Sequence, residues 1–179
     1  MVLTFRQSQP SHLSQLPDIA PYEIDSMARQ AAVLAGQGDL ASAMRCYQDA
    51  LLADESRTDL WVNYGILQAR SGQFNDAIES FEFALRLDPT MYMARYRMAR
   101  VCYEMGRPLE ALALFRTVTE ERPRYVSAWR YLVQITWALG NHDEAERLAC
   151  AALEHAHDAE METLLERIRA DRGELDTQI

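Results

Sequence analysis

The sequence predicts an all-α protein built from a repeated pair of helices, and three observations indicate this fold class. Glycines recur every 34 residues, at Gly38, Gly72, Gly106 and Gly140. Between these glycines apolar residues recur at helical spacing, and no segment shows the alternation that is typical of a strand. A period of this length fits a two-helix unit that buries its apolar face against neighbouring units.

Each unit is predicted to be two amphipathic helices that are separated by its glycine. In the second unit the apolar stripe of the second helix consists of Phe74, Ala77, Ile78 and Phe81. The glycines are expected to end the first helices, because glycine enters the left-handed conformation without a Cβ penalty. Pro108 suits the first turn of a helix, where the amide it lacks would be unpaired anyway. Pro89 and Pro123 are expected to end second helices, because the residue before a proline leaves the α region.

Segments that flank the repeats complete the predicted organisation. Residues 1–23 contain Pro10, Pro17 and Pro21 and predict a flexible or extended N-terminal arm. The four repeat units are expected at 24–57, 58–91, 92–125 and 126–157. Residues 158–179 predict a C-terminal capping helix that ends in a frayed tail from Gly173 onwards, with one apolar face made of Met161, Leu164, Leu165 and Ile168.

The second unit carries the motif that connects the chain to a known family. It matches W-x2-L-G-x2-Y, A-x3-F and P at Trp61, Gly65, Ala77, Phe81 and Pro89. The other units keep part of the pattern, with departures that include Arg95 for Trp, Val133 for Gly and Ala149 for Phe. The chain therefore resembles the tetratricopeptide repeat family over about residues 24–157. This resemblance implies a right-handed α-solenoid whose first helices line a concave peptide-binding groove.

The family register also implies which residues face that groove. They lie one, four, five, eight and eleven positions after the first residue of each unit, and in the third and fourth units they are rich in aromatic residues and arginine. The predicted peptide-binding residues are Asn63, Tyr96, Arg97, Arg100, Tyr103, Arg130, Tyr131, Gln134 and Trp137. Arginine with large aromatic residues is typical of binding hot spots. The alternative is that the aromatic side chains pack between neighbouring helices.

Family members that hold the carboxylate tails of heat-shock chaperones use a clamp of two lysines, two asparagines and an arginine. Only Asn63 and Arg97 match that clamp, whereas Ala28, Ala32 and Met93 stand at its other positions. We therefore expect no binding of chaperone tails.

Composition excludes several functions. The chain has 27 acidic and 18 basic residues, a formal net charge of -9, and this balance disfavours bulk nucleic acid and anionic membranes. Every basic residue is arginine, which excludes Schiff-base chemistry and a phosphate-loop lysine. We find no catalytic or metal-binding motif in a recognisable frame. The sequence therefore predicts a protein that is not an enzyme and has no cofactor and no metal.

Charge is unevenly distributed along the chain and indicates what a partner would carry. Residues 92–130 hold 8 basic and 4 acidic residues, whereas 1–91 hold 6 and 12 and 131–179 hold 4 and 11. The basic segment includes three arginines of the predicted groove. An extended or helical segment of another protein, with acidic residues beside apolar ones, is therefore the expected partner.

We expect a non-enzymatic adaptor or chaperone that binds such a segment in its groove. One alternative is a scaffold that forms homo-oligomers through the N-terminal arm or the repeat faces. A second alternative is a chaperone of bacterial secretion-system translocators, which the resemblance to small acidic repeat proteins implies. Neither a secretory leader nor an apolar span is apparent, and the three cysteines form no C-x-x-C pair, so a cytoplasmic location is expected.

Overall fold

The computed structural model describes residues 19–176. All regular secondary structure in this range is α-helical, and this confirms the predicted all-α fold class. The helices of the described range are α1 (Pro21–Gly36), α2 (Leu40–Ala53), α3 (Thr58–Arg70), α4 (Phe74–Leu87), α5 (Tyr92–Glu104), α6 (Pro108–Glu121), α7 (Val126–Ala138), α8 (His142–His155) and α9 (Ala159–Asp176).

The described residues form two compact units, which divide between Ala94 and Arg95. In the first unit α1 packs against α2, α2 against α3, and α3 against α4. In the second unit α6 packs against α7, α7 against α8, and α8 against α9. Within each compact unit these helices therefore bury their apolar stripes against helices next to them in sequence.

The turns inside the units have the predicted geometry. Gly38, Gly72, Gly106 and Gly140 have φ angles of 88°, 78°, 73° and 82°, in the left-handed region that favours glycine. Pro108 lies in the first turn of α6, as expected from its missing amide. The helices α4 and α6 end before Pro89 and Pro123, at Leu87 and Glu121.

In the first three repeat units the core combines a small side chain on the first helix with a large side chain on the second helix. These equivalent positions are Ala31 and Tyr47, Gly65 and Phe81, Ala99 and Phe115, and Val133 and Ala149, all of them buried. In the fourth unit the larger residue has moved to the first helix. Its two departures from the family pattern therefore offset each other in volume, which close packing requires.

The tryptophan position of the second, third and fourth repeat units connects the first helix to another part of the chain. Trp61 Nε1 donates a hydrogen bond to the carbonyl oxygen of Glu55 at 2.8 Å, and Trp129 Nε1 donates one to that of Pro123 at 2.8 Å. In the third unit Arg95 takes the place of tryptophan and donates from Nη1 to Glu121 Oε2 at 2.5 Å. In all three repeat units the side chain at this position therefore donates a hydrogen bond to another residue of the chain.

Two predicted boundaries are wrong. The helix α1 begins at Pro21, so the last residues assigned to the arm are helical, because proline is as well suited to this first turn as it is at Pro108. Glu23 supports this start by accepting a hydrogen bond from the Ala20 amide at 3.2 Å. At the other end α9 continues through Gly173 to Asp176. The rest of the predicted arm, 1–18, and residues 177–179 lie outside the described residues.

Candidate functional site

Eight of the nine predicted groove residues lie on two helices of the second compact unit, and all of these except Tyr96 form one group. We call them the arginine-aromatic face, which consists of Arg97, Arg100 and Tyr103 on α5 and Arg130, Tyr131, Gln134 and Trp137 on α7. Asn63 lies on α3 in the other compact unit and is half-buried there. The second compact unit therefore holds the aromatic and arginine-rich part of the prediction.

Tyr131 is the centre of the face. Its ring stacks on Phe115 of α6, with ring centroids 4.9 Å apart and an angle of 5° between the planes. The ring of Tyr103 meets it edge-on at 6.1 Å. Aromatic pairs in these geometries stabilise one another by about 0.5–1.5 kcal/mol. Tyr131 and Tyr103 are thus held in place before any ligand arrives.

Tyr96 does not belong to the exposed surface, although the sequence places it among the groove residues. Only 6% of it is exposed. Its ring packs against Phe115 at 5.8 Å, Tyr125 at 5.0 Å and Tyr131 at 6.2 Å. For Tyr96 the alternative interpretation therefore applies: its ring packs between helices. It forms one cluster with three other rings, and the four come from three helices and one loop. Tyr96 therefore supports the face from beneath, whereas Tyr103, 43% exposed, is open to a partner.

The arginines lie along these rings. Arg100 places its Cζ 5.8 Å from the centroid of Tyr131, and Arg97 places its Cζ 6.0 Å from that of Tyr96. Both distances are within the range of cation–π attraction. The Nε atoms of Arg97, Arg100 and Arg130 are shielded from solvent and have no hydrogen-bond partner among the described residues. The guanidinium groups can therefore reach a ligand only through their terminal Nη atoms.

Carboxylates of the chain itself occupy two of these three arginines. Arg100 Nη2 lies 3.5 Å from Glu104 Oε1, one turn along α5. Arg130 Nη1 forms an ion pair with Glu160 Oε2 of α9. Arg97 makes no ion pair with any of the residues that the structure describes. Within residues 19–176, Arg97 is thus the arginine of these three that no carboxylate pairs with.

Sequence reasoning missed the contribution of α9. Glu160 contacts Arg130, and Arg167 places its Cζ 5.1 Å from the ring centroid of Trp137. Glu160 and Arg167 are seven residues apart, and so are Arg130 and Trp137, so that two turns of α9 lie alongside two turns of α7. Besides capping the last repeat, α9 forms an edge of the face.

A signal for this edge is present in the sequence. If a fifth unit starts at residue 158, Glu160 and Arg167 stand two and nine positions after its first residue. The same positions in the second, third and fourth units are apolar: Leu60 and Leu67, Ala94 and Val101, and Ala128 and Ile135. A change from apolar to charged residues at both positions indicates that this face of the last helix lies beside polar side chains of the preceding first helix.

Histidine and cysteine add no second site to the described part of the chain. His155 stacks on Trp129 with ring centroids 6.0 Å apart, and Cys102 is fully buried. Across the described residues we find no group of three or more histidine, cysteine, aspartate or glutamate side chains that could hold a metal ion. Nor does any helix of residues 19–176 have the length and apolar character needed to cross a membrane.

Comparison with known proteins identifies relatives of the repeat region. Models of the tetratricopeptide repeat match residues 68–113 and 96–160. A "Tetratricopeptide repeat and J domain-containing co-chaperone" of Fusarium oxysporum is 27% identical over 117 residues, which cover 63% of this chain and 22% of the co-chaperone. This chain therefore spans less than a quarter of the length of that relative.

Solved structures agree on the fold. The crystal structure of MamA protein superposes with a TM-score of 0.74 and 19% identity, covering 86% of this chain and 85% of MamA. The first tetratricopeptide repeat domain of Spaghetti (RPAP3), bound to the HSP90 peptide SRMEEVD, gives a TM-score of 0.64 at 21% identity and covers 69% and 98% of the two chains. At these identities the likeness shows the fold, an array of paired helices.

Proposed function

We propose, since the chain is a tetratricopeptide repeat protein, that it is a non-enzymatic adaptor or chaperone that holds a segment of another protein on the arginine-aromatic face. The observation that carries the proposal is that Arg97, which has no ion pair among the described residues, lies over the ring of Tyr96, and that Arg100 lies over the stacked ring of Tyr131. A planar cation next to large, immobilised aromatic surfaces is the composition of a binding hot spot.

The rigidity of the rings favours binding. Tyr131 is already stacked on Phe115 and contacted by Tyr103, so a ligand that packs on them does not need to order them first. Ordering one long side chain at an interface costs about 0.5–1.5 kcal/mol. A face that is preorganised in this way retains that free energy for affinity.

Charge indicates the chemistry of the partner segment. The terminal Nη atoms of Arg97, Arg100 and Arg130 offer donors to carboxylates, and residues 92–130 have an excess of basic residues in an acidic chain. Tyr103 and Trp137 offer apolar area beside them. The segment should therefore carry acidic residues next to apolar ones, and opposite charges should speed its association.

Names of the relatives support a role in protein interaction without defining the partner. One relative is a co-chaperone and one structural neighbour holds a chaperone peptide. This chain departs from the chaperone-tail clamp at Ala28, Ala32 and Met93. We therefore propose a partner other than a heat-shock chaperone tail.

Affinity capture from the source cell, followed by mass spectrometry, tests the proposal. Arg100→Ala and Tyr103→Ala should each weaken capture of the main partner by about 5-fold or more, since loss of a hot-spot side chain costs 1 kcal/mol or more. Arg107→Ala is the matched control, because Arg107 is an arginine of the same compact unit that pairs with Glu110 at 2.7 Å on α6. Circular dichroism should show unchanged helicity in all three variants.

Two outcomes separate the possibilities. Loss of the same partner in both face variants, with its retention by Arg107→Ala, supports the assignment. Equal capture by the wild type and both face variants would refute binding at this face.

A further inference from the structure

We infer that Glu160 of α9 is a built-in competitor for the partner at Arg130: it occupies the place of a partner carboxylate and gives way when one arrives. The inference rests on the proposed function, because it concerns the same face. It adds a residue outside the two helices of that face that sets the affinity for the partner. It also predicts that removing the Glu160 carboxylate raises this affinity instead of lowering it.

The ion pair itself has the properties of an exchangeable contact. Glu160 Oε2 meets Arg130 Nη1, one of the terminal atoms through which a ligand must bind. The side chain of Glu160 is 73% exposed, and that of Arg130 is 33% exposed. A carboxylate so close to solvent regains its hydration when it turns away, and exposed ion pairs of this kind add little to folding stability.

Attachment of α9 does not depend on that ion pair. Met161 and Ile168 are fully buried, and Leu164 and Leu165 are 7% and 8% exposed. These four residues form the apolar stripe through which α9 packs on the protein. Release of Glu160 therefore leaves the helix docked, and Arg130 becomes available without local unfolding.

The burial pattern places Glu160 at a position that is not charged in the inner units. Met161, Leu164 and Leu165 are buried like Trp129, Leu132 and Val133, so the fifth unit starts at residue 158, two residues earlier than the 34-residue period gives. At the equivalent positions of the inner repeats stand Leu60, Ala94 and Ala128, all buried and apolar. An apolar side chain there cannot compete for an arginine. A glutamate there gives Arg130 an internal carboxylate partner in the free protein.

The consequence is that Glu160 lowers the affinity for an acidic ligand. Binding of a partner carboxylate to Arg130 Nη1 must displace the Glu160 carboxylate, and the free energy of that ion pair is subtracted from the free energy of binding. The free energy of an exposed ion pair corresponds to about a two- to five-fold change in the affinity for the ligand.

The test measures fluorescence anisotropy with a fluorescein-labelled ten-residue peptide of glutamate, leucine and glycine, against a peptide in which glutamine replaces glutamate. Glu160→Gln should bind the acidic peptide about two- to five-fold more tightly than the wild type. Glu162→Gln is the matched control: it removes the same charge from the same helix, where no ion pair of Glu162 occurs among the described residues. Its affinity should stay close to that of the wild type.

Arg130→Gln distinguishes competition for Arg130 between Glu160 and the peptide from a general effect of the protein's net charge on peptide affinity. It should weaken binding of the acidic peptide, and adding Glu160→Gln to it should produce no further gain. Thermal denaturation checks that α9 stays docked in each variant. Equal affinities of Glu160→Gln and Glu162→Gln, with binding that still depends on Arg130, would overturn the inference and leave the proposed face intact. Failure of the wild type and of every variant to prefer the acidic peptide would instead refute the acidic partner, and the competitor with it.

Discussion

Gly65→Ala in α3 is predicted to destabilise the protein, although alanine is the better helix former. A methyl group at this position would lie 2.8 Å from Phe81 Cε1, 3.0 Å from Cδ1 and 3.1 Å from Cζ. Carbon atoms in favourable contact are about 3.5–4.0 Å apart. Phe81 is fully buried, so its ring cannot move into solvent. The overlap can be relieved only by moving α3 and α4 apart or by distorting the ring's rotamer.

Two opposing effects set the magnitude. Replacing a glycine inside a helix by alanine stabilises it by about 1 kcal/mol, because the unfolded chain loses freedom. Overpacking a well-filled core costs about 1–3 kcal/mol. Since three ring atoms are affected at once, we place the cost in the upper part of that range. The net loss in the free energy of unfolding should be about 1–2 kcal/mol.

Urea denaturation followed by circular dichroism at 222 nm measures this loss. Gly36→Ala is the matched control, because Gly36 is also in a helix and a methyl group there would meet no atom within 4 Å. That variant should be unchanged or stabilised by up to about 1 kcal/mol. Phe81→Leu should reduce the cost of Gly65→Ala, because it removes part of the ring. A Gly65→Ala protein as stable as Gly36→Ala would refute the close approach of Gly65 to Phe81.

Three further predictions concern the ion pair, the tryptophan and the offset volumes of the core. Arg57 donates to Asp59 at 2.8 Å and 2.9 Å and holds the pKa of that carboxyl below its ordinary value of 3.8. Arg57→Ala should therefore cost about 1 kcal/mol or less above about pH 5, since Asp59 is half exposed. The part of this cost that comes from Asp59 should shrink as the pH falls below 3.8 and through the lowered pKa of that carboxyl, whereas the part from the ion pair with Asp25 is separate. A gap between the two urea midpoints that does not narrow as the pH falls below 3.8 would contradict this. Trp129→Phe should lose about 1–2 kcal/mol of unfolding free energy, because the carbonyl of Pro123 loses its donor; an unchanged midpoint would contradict it. Ala149→Phe should cost about 1–3 kcal/mol by overpacking, and adding Val133→Gly should recover part of that cost; additive losses would show that the two positions do not share space.

Local geometry explains why the helices and turns could be predicted from the sequence. Gly72, Gly106 and Gly140 end helices because only glycine enters the left-handed region freely, and each acts within its own turn. Pro89 and Pro123 act on the residue directly before them in the same way. None of these effects depends on distant parts of the chain, so a 34-residue period was enough to place the helices.

Prolines at a boundary show the limit of this reasoning. A proline outside a helix and a proline at its first turn have the same sequence signal, and Pro21 was assigned to the arm for that reason. The helix starts there because the capping glutamate, Glu23, and the apolar stripe from Ile24 follow it at the right spacing. The extension of α9 beyond Gly173 was missed similarly, since glycine lowers helix stability without ending a helix by itself.

Prediction of the arginine-aromatic face from the sequence would have required information about contacts between distant residues. The family register placed Tyr96 and Tyr103 at equivalent kinds of position, yet one is buried and the other exposed, because Tyr125 and Phe115 cover only Tyr96. The partners of Arg130 and Trp137 lie 30 residues further along, at Glu160 and Arg167. Such pairings depend on how one helix lies beside the next, which the periodicity of a single helix does not determine.

Absence of lysine allows the central proposal to be tested at one residue. Because all basic residues are arginine, Arg97→Lys introduces the only side-chain amine of the chain. A carbodiimide cross-links such an amine to a carboxylate in direct contact with it, so the variant should become linked to a glutamate or aspartate of the captured partner. Arg45→Lys is the control, on the exposed surface of α2, where Arg45 donates a hydrogen bond to Ser42 and lies near Asp39.

Mass spectrometry of the cross-linked complex is the most direct measurement of where the partner binds. We predict one dominant cross-link from position 97 to an acidic residue of the partner, and at most a trace from position 45. Equal cross-linking from both positions, or none from position 97 in a complex that still forms, would contradict an acidic segment bound at the arginine-aromatic face.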